Sequence, residues 1–215
     1  MKSFLKYKLK PDEMEQRVRE EYYVRDRKHT ATLLSIAILV VTAYIVLDSH
    51  LLKNYPMPLY TTLASRVVSI VSLFCSIILL YKAKRKYFDL IIFILAMLIA
   101  AHVMVVNYCR PYNHVALVAW DIMVIFGIYA TVPFLLLYQI VSAVFLSLGT
   151  NILWIFVVST PWSEAETLPI LGGYVSANIF GIFLSLQLKR SRRQQYQIME
   201  KERETWQGLK KPGKR

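Results

Sequence analysis

Residues 60–107 read YTTLASRVVSIVSLFCSIILLY, then KAKRKYF, then DLIIFILAMLIAAHVMVVN. The first and last pieces are apolar runs of about 20 residues, the length a helix needs to cross a hydrocarbon core. Between them lie Lys82, Lys84, Arg85 and Lys86 with no acidic residue. That is the pattern of a membrane hairpin whose turn stays on the cytoplasmic side. Working outward on the same criterion gives six runs: Thr30–Leu47, Tyr60–Tyr81, Asp89–Asn107, Val115–Val132, Phe134–Val158 and Pro169–Leu188. Only Pro133 separates the fourth from the fifth. Proline disfavours a helical conformation in the residue before it and suits the first turn of a new helix. A tight turn is expected there rather than one kinked helix.

The chain has 215 residues, 56% of them hydrophobic and 19% charged, and its mean hydropathy is +0.41. These values exclude a disordered chain, a disulfide scaffold and a collagen-like repeat. Cys75 and Cys109 fall at different membrane depths, and a disulfide needs Cα atoms within about 7 Å, so both read as free thiols. The first apolar run follows a 29-residue segment rich in charged residues and is too long for the apolar region of a cleaved signal peptide. The fold class is therefore all-α: a polytopic membrane protein with six transmembrane helices.

Residues 1–29 hold nine Lys/Arg against six Asp/Glu, and residues 189–215 hold ten against three. With the four cations of 82–88, these segments fall on one side of a six-span chain. The intervening loops carry only Asp48, Lys53, Arg110, Glu164 and Glu166. The positive-inside rule places both termini in the cytoplasm of a multi-pass cell-membrane protein, the inner membrane if the source is bacterial. The formal charge of +12 thus expresses topology and attraction to anionic membrane lipid. Nucleic acid is not an expected partner.

Three segments follow: residues 1–29, a basic interfacial N-terminal segment; residues 30–188, the transmembrane domain; and residues 189–215, a basic stalk or tail. Met14, Val18 and Tyr22 recur at i, i+4, i+8 after Pro11, which fits a helix at the headgroup level; a disordered tail is the other reading. Tyr196, Met199, Arg203 and Trp206 follow a 3, 4, 3 spacing, matching a short cytoplasmic stalk helix with a dimer seam. A frayed basic tail competes with it.

Polar side chains inside the spans are functional candidates because burying them in hydrocarbon is costly. At about 1.5 Å per residue, Arg66 and Asp121 both lie about 9 Å from the outer end of their spans. His102 lies about 7–8 Å from the outer end of the third span, with Asn107 at its mouth, His114 caps the loop before the fourth span, and Asn151 of the fifth joins them at slightly greater depth. Arg66 and Asp121 could pair as a structural ion pair. Alternatively, the group forms a polar rim around an outward-facing pocket for a small or lipid-like ligand. In the last span Gly173, Ala177 and Gly181 repeat at i+4, a stripe that permits close helix approach, and Asn178 is placed to bond a neighbouring helix.

No P-loop, G-x-S-x-G, H-E-x-x-H or C-x-x-C motif is present. No catalytic residue, metal or cofactor is expected, and the chain does not read as an enzyme. An integral-membrane lipid-modifying enzyme with His102 and Asp121 as acid and base is a remote alternative.

Six spans with both ends inside, an Arg in the outer part of the second span, and a last span running Asn178-Ile179-Phe180-Gly181 to Arg190-Ser191-Arg192-Arg193 resemble a known arrangement. They are similar to the six-helix membrane anchor and sensor modules of bacterial membrane-bound class III adenylyl cyclases, diguanylate cyclases and quorum-sensing histidine kinases. The resemblance covers about residues 25–205. It implies a dimerising, receptor-like module that signals through its last helix to a cytoplasmic output domain such as a nucleotide cyclase. Only 27 residues follow Leu188, fewer than a folded domain needs. Either the chain is a piece ending at the stalk, or it acts through a separate partner protein. A passive membrane anchor and dimerisation module is the alternative function.

Overall fold

The computed structural model describes residues 13–109, 114–131, 135–157 and 164–209. Among them all regular structure is helical. Six helices follow in order: α1 (Glu13–Leu51), α2 (Pro56–Lys82), α3 (Phe88–Cys109), α4 (His114–Thr131), α5 (Leu136–Ile152) and α6 (Glu164–Leu209). A 3-10 turn at Arg85–Tyr87 leads into α3, and a π-helical turn at Leu153–Val157 extends α5. Five of these helices are long and apolar enough to cross a membrane; α4 contributes a shorter apolar stretch, Leu117–Ala130.

Apolar side chains on the outside are what a membrane-spanning bundle would present to lipid. Leu39, Val46, Phe183 and Ile179 are all largely exposed. A continuous outer surface of this kind is stable against hydrocarbon and not against water. The inside is a different population. Leu73, Ile92, Ala100, Ile125, Leu146 and Tyr174 form the core, joined by buried polar groups such as Thr62, Asp121 and Thr150.

Helix α3 is central, packed on α2 along one side and on α5 along another. Helix α1 packs on α2, and α4 packs chiefly on α6. Helices α4 and α5 are separate elements packed on one another, as the expected turn requires, although Pro133 lies outside the described residues. The small-residue stripe of α6 is used within the chain. Tyr174, Ala177, Gly181 and Ser185 are its buried face, and Gly181 lies directly under the Tyr129 ring of α4. Gly173 is the looser member, because a Cβ there would make only ordinary contact with Ile122.

Neither Thr30 nor Leu188 marks a break. Helix α1 enters the bundle without interruption from Glu13, so the N-terminal segment is not a separate helix lying along the headgroups. It stands beside the continuation of α6. Val18 and Tyr22 are buried, and Asp26 accepts from Arg192 at 3.0 Å while Glu21 pairs with Arg203. Arg19 donates to Asp89 at 2.8 Å and Arg85 pairs with Glu20 at 3.0 Å, tying the same segment to the α2–α3 connection. Thus part of the stalk face anticipated for a dimer is engaged by α1.

Exposed ion pairs contribute little singly, but Asp26 is nearly buried and its loss of partner is felt more. Arg192→Glu is expected to release residues 13–29 from α6, read as faster tryptic cleavage in that segment. Combining it with Asp26→Arg should restore resistance.

Candidate functional site

Four helices enclose a cavity of about 510 Å³. Its walls are apolar, including Val40, Val103, Leu117 and Trp120, and Arg66 and His102 are its principal polar lining groups. Helices α1 and α4 make no extensive packing contact with one another, and the Tyr44 and Trp120 rings, 5.7 Å apart, meet across the gap. The size and lining are those of a site for a small organic molecule.

The Arg66 side chain is held from three sides. Its Nε donates to Asp48 Oδ2 at 3.0 Å, with the two side chains 8% and 0% exposed. One terminal nitrogen donates to His102 Nε2 at 2.9 Å, and the guanidinium lies 5.0 Å from the centre of the Tyr44 ring. An arginine can only donate, so His102 Nε2 must accept. The ring proton is therefore on Nδ1, which faces Ser65 Oγ in a short hydrogen bond. This contact network fixes His102 as a neutral imidazole of one tautomer.

A second buried group lies on the other side of α3. The Asp121 carboxylate is fully buried. Asn107 Nδ2 donates to its two oxygens at 3.1 and 2.9 Å, and the Tyr174 hydroxyl donates at 2.6 Å. Thr150 borders both Asp121 and Tyr174. Polar bonding continues along α6: Asn178 donates to Ser147 Oγ at 2.8 Å and accepts from the Tyr129 hydroxyl at 3.2 Å. Further along, Ser185 donates to Gln139 at 2.6 Å.

The expected pairing of Arg66 with Asp121 does not occur. Arg66 takes Asp48 instead, because α1 runs on to Leu51 and carries Asp48 into the bundle opposite the outward-reaching guanidinium. The candidate residues thus divide, Arg66 with His102 and Asn107 with Asp121. His102 and Asp121 sit in different groups and do not form an acid–base pair. Asn151 donates to Ser147 O of its own helix at 2.7 Å, and the His114 side chain lies outside the described residues.

Sequence reading missed Asp48, Tyr44, Thr150 and Tyr174 as members of these groups, and read Ser65 as part of a small-residue packing stripe of the second span. The tyrosines read as ordinary apolar positions, and Thr150 as an unremarkable span residue. Asp48 stood one residue beyond the apolar run and was assigned to a loop.

Among known proteins, no family model, no curated protein and no solved structure matches this chain.

Proposed function

We propose that this chain is a membrane-embedded sensor or regulatory module, crossing the bilayer six times with both ends in the cytoplasm. A small or lipid-like ligand enters the cavity between α1, α2, α3 and α4 and meets Arg66 and His102 near the outer face. Its binding favours one of two arrangements of the bundle. Helix α6 carries that change to a homodimeric stalk and a cytoplasmic output domain or partner, in the manner of the cyclase and kinase modules that the sequence resembles.

The observation that carries this reading is the apolar cavity with a charged, hydrogen-bonded cluster on its wall. A passive anchor has no need of such an interior, and an apolar core would be cheaper to fold. Exposed Ile198 and Trp206 on the cytoplasmic part of α6 supply apolar surface for a second copy.

The test is a fusion of the chain to a cyclase output domain, expressed in membranes and challenged with lipid extracts. Arg66→Ala should abolish the extract-dependent change in cyclase activity while membrane expression persists. Cysteine cross-linking across the stalk gives a separate reading. Stalk geometry that never changes with any extract would make the module a passive tether. Turnover of a lipid by the purified protein would make it an enzyme.

A further inference from the structure

The cavity beside Arg66 is long and narrow rather than round. It meets α1 from Leu33 to Leu51, about 27 Å of helix at the usual rise. Spread over that length, about 510 Å³ has room for one extended hydrocarbon chain. Away from Arg66 and Ser69 the lining is apolar, with Leu33, Ile36, Ala37, Leu73, Ile99 and Val124. The slot is also open at the side. Ile36, Val40, Leu47 and Leu51 of α1 and Trp120 of α4 line it and are exposed. Helices α1 and α4 make no extensive contact that would seal the seam. In a chain that spans the membrane, such a seam faces acyl chains rather than water.

The polar end of the slot selects the head of its occupant. Arg66 is positive, Asp48 is its negative partner at 3.0 Å, and His102, held between Arg66 and Ser65, is neutral. The charges of the cluster therefore cancel. Its hydrogen-bonding capacity does not. Two of the five guanidinium N–H groups go to Asp48 and His102, and among the described residues no acceptor takes the others. A guanidinium can only donate, so an acceptor on the occupant completes it.

We infer that the slot takes a single-chain lipophile with an uncharged hydrogen-bond acceptor at its head, admitted between α1 and α4, and that Asp48 sets the preference against anions. The inference rests on the reading of this cavity as the ligand site of a membrane-spanning module. A carboxylate head would set two negative charges against one guanidinium, and the excess charge would be stranded in an apolar cavity. An ammonium head would face the positive charge of Arg66. An ester or ketone oxygen accepts from Arg66 and leaves the charge count at zero. The chain then lies along α1 toward Leu33.

The experiment uses the full chain purified in mild detergent at pH 9. It is incubated with equal amounts of methyl palmitate, palmitate and hexadecane, and the lipid retained after gel filtration is counted by mass spectrometry. Methyl palmitate should be retained about tenfold over palmitate, which carries the unwanted charge, and over hexadecane, which lacks the acceptor. Val40→Trp plugs the middle of the slot at a side chain already 39% exposed, and should abolish retention of the ester. Asp48→Asn keeps the shape but leaves Arg66 uncompensated, and should invert the ranking so that palmitate is retained about tenfold over the ester. Palmitate or hexadecane held as well as the ester by the unmodified chain would overturn the inference. So would undiminished retention in Val40→Trp, which keeps the test decisive even where Asp48→Asn does not fold. Retention is read without any output domain, so the two readings fail separately. Ester held in the slot with no change in the fused cyclase would sink the sensor and leave the slot. A cyclase response to extracts without this ranking would do the reverse.

Discussion

Asp48→Ala is expected to destabilise the folded bundle by about 3–5 kcal/mol, the cost of leaving a buried charge without its counter-ion. The Arg66 side chain is only 8% exposed and its Nε is directed at Asp48. With the carboxylate gone, the guanidinium retains only His102 and the face of Tyr44, neither of which supplies negative charge. Unfolding by sodium dodecyl sulfate titration from mild detergent measures the loss. The double variant Asp48→Ala with Arg66→Met should recover most of it, because it removes the stranded cation. A loss below about 1 kcal/mol in the single variant would mean that Arg66 swings out to the headgroups and finds solvent there.

Gly181→Ala should have the next largest effect, a loss of about 1–3 kcal/mol from overpacking. A Cβ at this position would fall inside the Tyr129 ring of α4. That ring is 1% exposed, and its hydroxyl is fixed to Asn178 at 3.2 Å, so it has little room to withdraw. Gly149 gives the contrast. Its added methyl would meet only the thioether end of Met104, which is flexible and can move aside. Gly172 faces nothing within 4 Å, and alanine there should be neutral or slightly stabilising through helix propensity. Measured side by side in the same detergent, the three alanine variants should rank with Gly181→Ala the least stable. Equal stability of all three would refute the close α4–α6 contact.

The membrane pattern was legible because long apolar runs need no tertiary information. The hydrophobic length that marks α2 and α3 in residues 60–107 is the length the helices have, extended by a few residues at their ends. Helices α4 and α5 are distinct elements on either side of residues 132–134, and the turn expected at Pro133 lies outside the described residues. The inward-facing character of these polar groups was also readable: Arg66, Asn107 and Asp121 are buried and His102 is partly buried. What sequence could not supply was rotation. Arg66 and Asp121 sit on helices that bring them into different polar groups, and only the packing of α2 and α4 decides that. Asp48 was lost for another reason. A hydropathy boundary marks where the apolar run stops, not where the helix stops, and α1 continues to Leu51. An acid within one turn of a span end, followed by a cation inside the next span, is the signal that would have exposed the pair. The stalk seam shows the same limit. Periodicity identified a face on α6 but could not identify α1 as a neighbour already lying against it.

Helix α6 runs unbroken through 46 residues, about 69 Å at the usual rise, roughly twice the thickness of a bilayer's oily interior. Its single internal proline, Pro169, comes within the first two turns. Beyond it no proline interrupts the helix, so under the proposed function a twist arising beside Tyr174 would travel towards Trp206 along one continuous backbone ladder.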